Sequence, residues 1–156
     1  SPLLSTQRWI ADCNQLIKTI QRELGESVNL EMEFERRHFC RSDQGSDQDA
    51  VRCERQRSNH KLYQQMWGPS EFRHQGMLSD LDLFPSIQNV SKPTLLICGE
   101  HDTATPQTLQ DARSMIGDRA RLEVLMNAGH KTYLDRNRAF IAVVNDFLAQ
   151  LDESAG

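Results

Sequence analysis

The sequence predicts an α/β fold: two parallel strands with flanking helices, preceded by a mostly helical region. Three observations predict it. Leu95 to Cys98 is a short unbroken apolar run, the mark of a strand buried on both faces. Leu122 to Met126 is a second strand-like run, and between the two lies a helical stretch from Pro106 to Ile116 that Gly117 closes. Ahead of them, the apolar residues from Trp9 to Leu24 recur at helical spacing.

Taken in order, Ser5 caps a first helix. Its apolar positions Trp9, Ile10, Cys13, Leu16, Ile17, Ile20 and Leu24 form one stripe, ended by Gly25. Val28, Leu30, Met32 and Phe34 alternate as in a strand. Glu33 and Arg37 stand at i,i+4, however, and no turn signal comes before Arg41, so a helix is expected. Ser42 to Ala50 reads as a polar loop. Val51 to Trp67 reads as a surface helix, polar until Leu62, Tyr63, Met66 and Trp67 supply an end that docks. After Gly68-Pro69 the chain turns apolar and leads through Lys92-Pro93 into the strand Thr94 to Cys98. Thr105 and Pro106 have the form of a helix start, a capping hydroxyl followed by a proline at the first helical position. One long final helix is expected from Thr132 to Leu151. Strand–helix–strand at this spacing is a right-handed parallel crossover. Two parallel strands leave both sheet edges open, so this part is expected to complete itself against something larger, or to self-associate. The expected division is a helical cap at residues 1–75 and a strand-bearing core part at residues 76–156.

The 156 residues carry 18 basic and 22 acidic side chains, a net −4 that argues against a nucleic-acid partner. No apolar run approaches the ~20 residues a membrane span needs. Trp9-Ile10 is followed at once by Ala11-Asp12, so no secretory leader is expected and a cytoplasmic location is. Cys13, Cys40, Cys53 and Cys98 are scattered without a pairing framework, which favours reduced thiols. The spacing of His38, Cys40, Cys53 and His60 matches no zinc pattern, and neither metal nor cofactor is expected.

The chemistry sits at the strand ends. Asp102 comes just past the first strand, where open α/β sheets place their ligands. Gly129-His130 follows the second strand, with His130 28 positions after Asp102. An acid and a histidine at neighbouring strand tips are the last two members of a Ser…Asp…His triad, in the chain order of α/β-hydrolases. A carboxylate on one ring nitrogen fixes the tautomer and leaves the other nitrogen free to take a proton. The plainer alternative is an aspartate capping a turn beside a loop histidine. The serine is missing: Gly25-Glu26-Ser27 and Gly68-Pro69-Ser70 are the only Gly-x-Ser triplets, and neither continues to x-Gly. Alone, the chain is expected to have no serine-hydrolase turnover.

Several stretches together resemble the carboxyl-terminal half of a proline iminopeptidase (prolyl aminopeptidase), an α/β-hydrolase. They are Arg37-His38-Phe39-Cys40-Arg41, Met66-Trp67-Gly68-Pro69-Ser70-Glu71-Phe72, Gly76-Met77-Leu78, Asp82, Pro93 to Pro106, and Gly129-His130. The resemblance covers nearly all of this chain and about half of a full-length member. It implies the carboxyl-terminal part of an α/β-hydrolase core behind a helical cap, with Asp102 and His130 as catalytic residues. It also implies that Glu71 binds the free amine of a peptide beginning in proline, and that the partner of this part is the amino-terminal half of the core. One departure stands out. Family members carry a second amine-binding glutamate directly after the triad aspartate, and here Thr103 stands there. One negative charge in place of two weakens amine recognition, which keeps open another ester or amide hydrolase of the same fold. A non-catalytic piece that only binds a partner is the third reading.

Overall fold

A computed structural model describes residues 4–25, 27–41, 59–69 and 73–155. Helix α1 (Thr6–Leu24) starts where Ser5 Oγ accepts from the Arg8 N–H and ends at Gly25. Trp9, Cys13 and Ile20 form its buried face, and each large apolar side chain so buried contributes about 1.5–3 kcal/mol. Asn29 caps α2 (Leu30–Phe34), which continues into one wider π-type turn, Glu35–Phe39. The segment is thus helical, as expected, and the i,i+4 pair is real: Arg37 Nε reaches Glu33 Oε1 at 2.6 Å. Asn59 caps α3 (His60–Met66). The expected surface helix begins earlier, and Val51 to Ser58 lie outside the described residues, as does the loop Ser42 to Ala50. Helix α3 buries none of its own residues, but Trp67 beyond it packs edge-on against Trp9, ring centroids 4.9 Å apart.

Beyond the Phe84–Asn89 turn of 3-10 helix come strand β1 (Thr94–Gly99), helix α4 (Pro106–Ile116) and strand β2 (Ala120–Leu125). The strands pair in parallel, Thr94 with Ala120 through Gly99 with Leu125. Two expectations are corrected. β1 is buried only at Cys98 and Gly99, its first four residues being half-exposed, because among the described residues only β2 pairs with it. The final helix is two: α5 (Thr132–Asp135) and α6 (Asn137–Ala155), separated at Arg136 by a non-helical backbone of φ −137° and ψ 50°.

The apolar core joins both parts of the chain. Trp9, Cys13, Ile20, Phe34 and Trp67 pack in one cluster with Cys98, Ala104 and Leu109. A second cluster, Phe84, Ile87, Ala112, Ile116 and Ala120, seats α4 on the 3-10 turn and the start of β2. Asp12 on α1 accepts from Thr105 and Thr108 Oγ1 (3.2 and 2.7 Å), placing a carboxylate at the positive end of α4. The first helix is also stitched to residues 81–83, which lead towards β1. Ser5 and Asp82 form an antiparallel bridge, Thr6 N–H donates to the Leu81 carbonyl, and Leu83 N–H donates to that of Leu4. Among the described residues no helix is long and apolar enough to cross a membrane.

Candidate active site

The two strands end level, Gly99 opposite Leu125, so the loops that follow them share one rim. The β1 loop is fastened across that rim: Glu100 N–H donates to the Leu125 carbonyl and His101 N–H to that of Ala128, both at 2.9 Å. The β2 loop turns at Asn127, which takes the left-handed conformation (φ 56°) that asparagine tolerates better than most residues. Its return path crosses so close over Gly99 that a Cβ there would run into the backbone of Ala128 and Gly129. A glycine at the strand tip is therefore required by close approach.

This brings Asp102 and His130 together. His130 Nδ1 lies 2.8 Å from Asp102 Oδ1. The carboxylate is 5% exposed and takes further donors: Ala104 N–H (2.8 Å) and Thr103 Oγ1 (3.4 Å) on Oδ1, and Gly99 N–H (3.3 Å) on Oδ2. An ionised carboxylate only accepts, so Nδ1 carries the proton and Nε2 holds the lone pair of the neutral ring. That is the arrangement a general base needs.

Residues 38–41 form a second wall. The Phe39 ring is stacked against the His130 imidazole, centroids 5.2 Å apart at 27°. The His38 carbonyl accepts from His130 N–H (2.8 Å), and that of Phe39 accepts from Lys131 N–H (2.9 Å). The His38 side chain donates from Nδ1 to the His101 carbonyl at 2.9 Å. Burial pushes the His38 pKa below its ordinary value, against the opposing pull of that carbonyl, and so favours the neutral ring. Asp135, 5% exposed, accepts from Gly129 N–H (2.7 Å) and Arg41 N–H (2.9 Å), with Cys40 Sγ at 3.6 Å. Nearer the first helix, Arg36 and Arg37 hold the Glu33 carboxyl down to about 2, and Arg37 also pairs with Glu23. Cys98 is buried near the end of β1, its thiol pushed up to about 12 by burial and by the charge of Asp102.

Of the residues singled out from sequence, the structure joins Asp102 and His130, while Glu71 lies outside the described residues. Thr103 is fully buried with its hydroxyl toward Asp102. His38 and Cys40, weighed as metal ligands, are turned to His101 and Asp135 instead, and Cys53 lies outside the described residues. Among the described residues no group of three His, Cys, Asp or Glu side chains could hold a metal ion. Sequence reasoning gave no role to Phe39 or Asp135. Phe39 lay inside a motif that carried only the resemblance, and Asp135 sits where an uninterrupted helix was expected, so no periodicity marked it.

Comparisons with known proteins bear on the fold. A family model described as TAP-like protein matches residues 80–155. The proline iminopeptidase of Heyndrickxia coagulans is 26% identical over 95% of this chain and 56% of its own length. The crystal structure of proline iminopeptidase from Mycobacterium smegmatis superposes with a TM-score of 0.79 at 30% identity, covering 98% of this chain and 56% of that one. The crystal structure of VinJ superposes over 95% of this chain and 55% of its own, with a TM-score of 0.74 at 24% identity, and supports the fold alone. The chain thus spans a little over half the length of these relatives. It resembles the carboxyl-terminal half of a proline iminopeptidase, with two parallel strands and flanking helices behind a helical cap.

Proposed function

We propose, from that resemblance, that this chain supplies the acid–base part of a serine hydrolase that releases amino-terminal proline from peptides. The observation that carries it is the 2.8 Å bond between Asp102 and His130 at the rim of two level parallel strands. His130 Nε2 takes the proton of a serine hydroxyl as the oxygen attacks the scissile carbonyl, then returns it to the leaving amine. Water repeats the cycle on the acyl-enzyme. Asp102 holds the ring and stabilises the imidazolium. The serine and the oxyanion donors come from residues outside these 156, since no Gly-x-Ser-x-Gly is present. Glu71 is assigned to the substrate amine, residues 1–75 to the cap, residues 76–156 to the core part, and the protein to the cytoplasm.

The test joins the chain to an amino-terminal segment of a relative that carries the nucleophile. Proline p-nitroanilide is expected to be cleaved by the pair and by neither part alone. Turnover that His130→Ala leaves unchanged would overturn the assignment.

A second reading, an ester or amide hydrolase for neutral substrates, is favoured by one observation. Thr103 brings no charge to the site and spends its hydroxyl on Asp102. A p-nitrophenyl ester cleaved far faster than proline p-nitroanilide would select it.

A further inference from the structure

We propose that Asp135 is a positioning residue: it locks the loop carrying His130 onto residues 38–41 and so holds the imidazole against Asp102. A buried carboxylate is unfavourable unless it is hydrogen-bonded, and the two oxygens of Asp135 are bonded to different segments. Oδ2 takes the N–H of Gly129, the residue directly before His130, at 2.7 Å. Oδ1 takes the N–H of Arg41 at 2.9 Å, with Cys40 Sγ at 3.6 Å. The same two segments are joined by main-chain bonds from His130 N–H to His38 and from Lys131 N–H to Phe39. The fit has no slack, because a Cβ on Gly129 would come 2.8 Å from the His38 carbonyl oxygen. The break at Arg136 sets Asp135 apart from the exposed helix α6 and leaves it facing inward.

Removing the carboxylate strands the buried Gly129 N–H and the partly buried Arg41 N–H and frees the loop. The imidazole then loses register with Asp102 while Asp102 itself is untouched. Asp135 acts in catalysis only if His130 is the general base proposed above, but its effect on the ring is measured without turnover, so failure of the Asp135 role leaves that base standing.

The measurement is the downfield proton resonance of His130 Nδ1–H, bonded to Asp102, and its exchange with solvent. In Asp135→Ala and Asp135→Asn the signal is expected to vanish or to exchange at least about tenfold faster, with partial recovery in Asp135→Glu. In an enzyme with its serine in place, kcat is expected to fall with KM unchanged, by up to about 10²-fold, the scale of an ångström-sized misplacement. An unchanged resonance and exchange rate in folded Asp135→Asn overturns the role of Asp135. Absence of the resonance from the unmodified protein overturns the Asp102–His130 geometry and this proposal with it. Should the Asn variant not fold, the amides of Gly129 and Arg41 in the unmodified protein decide. Both are expected to exchange at least about tenfold more slowly than an open peptide, and free exchange of either overturns the lock.

Discussion

Phe39 lies nearly flat against His130, ring centroids 5.2 Å apart and planes 27° from parallel. The imidazole is thus held by its edge, through Asp102, and by its face, through a residue 91 positions earlier in the chain. Aromatic stacking of this kind contributes about 0.5–1.5 kcal/mol beyond area burial. Phe39→Ala in a catalytically complete enzyme is therefore expected to lower kcat roughly 2- to 10-fold. Phe39→Tyr, which keeps the ring, should lose less. Equal losses in steady-state assays would show that stacking is not the operative contact.

Asp102→Asn replaces an acceptor with a group that can offer an N–H to Nδ1, which favours the wrong tautomer of His130. In a catalytically complete enzyme, on the scale known for serine proteases, kcat should fall on the order of 10⁴-fold. Chemical denaturation should show the fold retained, because with Nδ2 in the place of Oδ1 the remaining oxygen still accepts from Gly99 N–H. A loss below about tenfold would remove Asp102 from the catalytic machinery.

Gly99→Ala forces a methyl group into the backbone of Ala128 and Gly129. Overpacking of this kind destabilises by about 1–3 kcal/mol or more. Urea melts should show that loss, and the loop carrying His130 should move with it. A variant as stable as the parent would contradict the close crossing.

His38 gives a pH dependence of known sign. Burial lowers its folded pKa, so between that value and the ordinary 6.5 the unfolded chain holds a proton the folded chain does not. This group therefore leaves stability flat above pH 6.5 and lowers it as the pH falls below, by at most about 1.4 kcal/mol per unit. His38→Gln keeps an N–H for the His101 carbonyl and removes the titration. Denaturation midpoints from pH 7 to 5 should fall less steeply for the variant, and parallel slopes would exclude His38 as the cause.

Cys98 is 1% exposed and its thiol is pushed up to about 12, so almost none is thiolate at neutral pH. Alkylation mapped by mass spectrometry should spare Cys98 and the buried Cys13 in the folded chain and label both after denaturation. Labelling of native Cys98 at the rate of a free thiol would contradict its burial.

Local chemistry made much of this legible. Ser5 and Gly25 bracket the first helix, Thr105-Pro106 and Gly117 the crossover helix, because caps and breakers act on their immediate neighbours. Asp102 and His130 were readable because parallel strands force the residues after their ends onto one rim. What escaped was set by contacts distant in sequence. The burial of β1 depends on which strands flank it, which a run of leucines does not specify. The break at Arg136 accompanies an inward-facing Asp135 and an Arg136 Nε bond to the Met126 carbonyl, in a stretch with neither Pro nor Gly. The wall at residues 38–41 brings together loops more than sixty residues apart.

The meeting of Ser5 with Asp82 places the departure and the return of the helical excursion side by side. An excursion whose ends touch can be exchanged like a cassette, with the strands left where they are. Here the exchange would carry a penalty, because the cassette includes His38, Phe39 and Arg41, which grip the loop holding the imidazole. If the excursion is the substrate cover proposed above, a graft from a relative would change that cover, yet support turnover only if it brought an equivalent of that grip. Under the proposed function, substrate range and the pose of the base would therefore be inherited together.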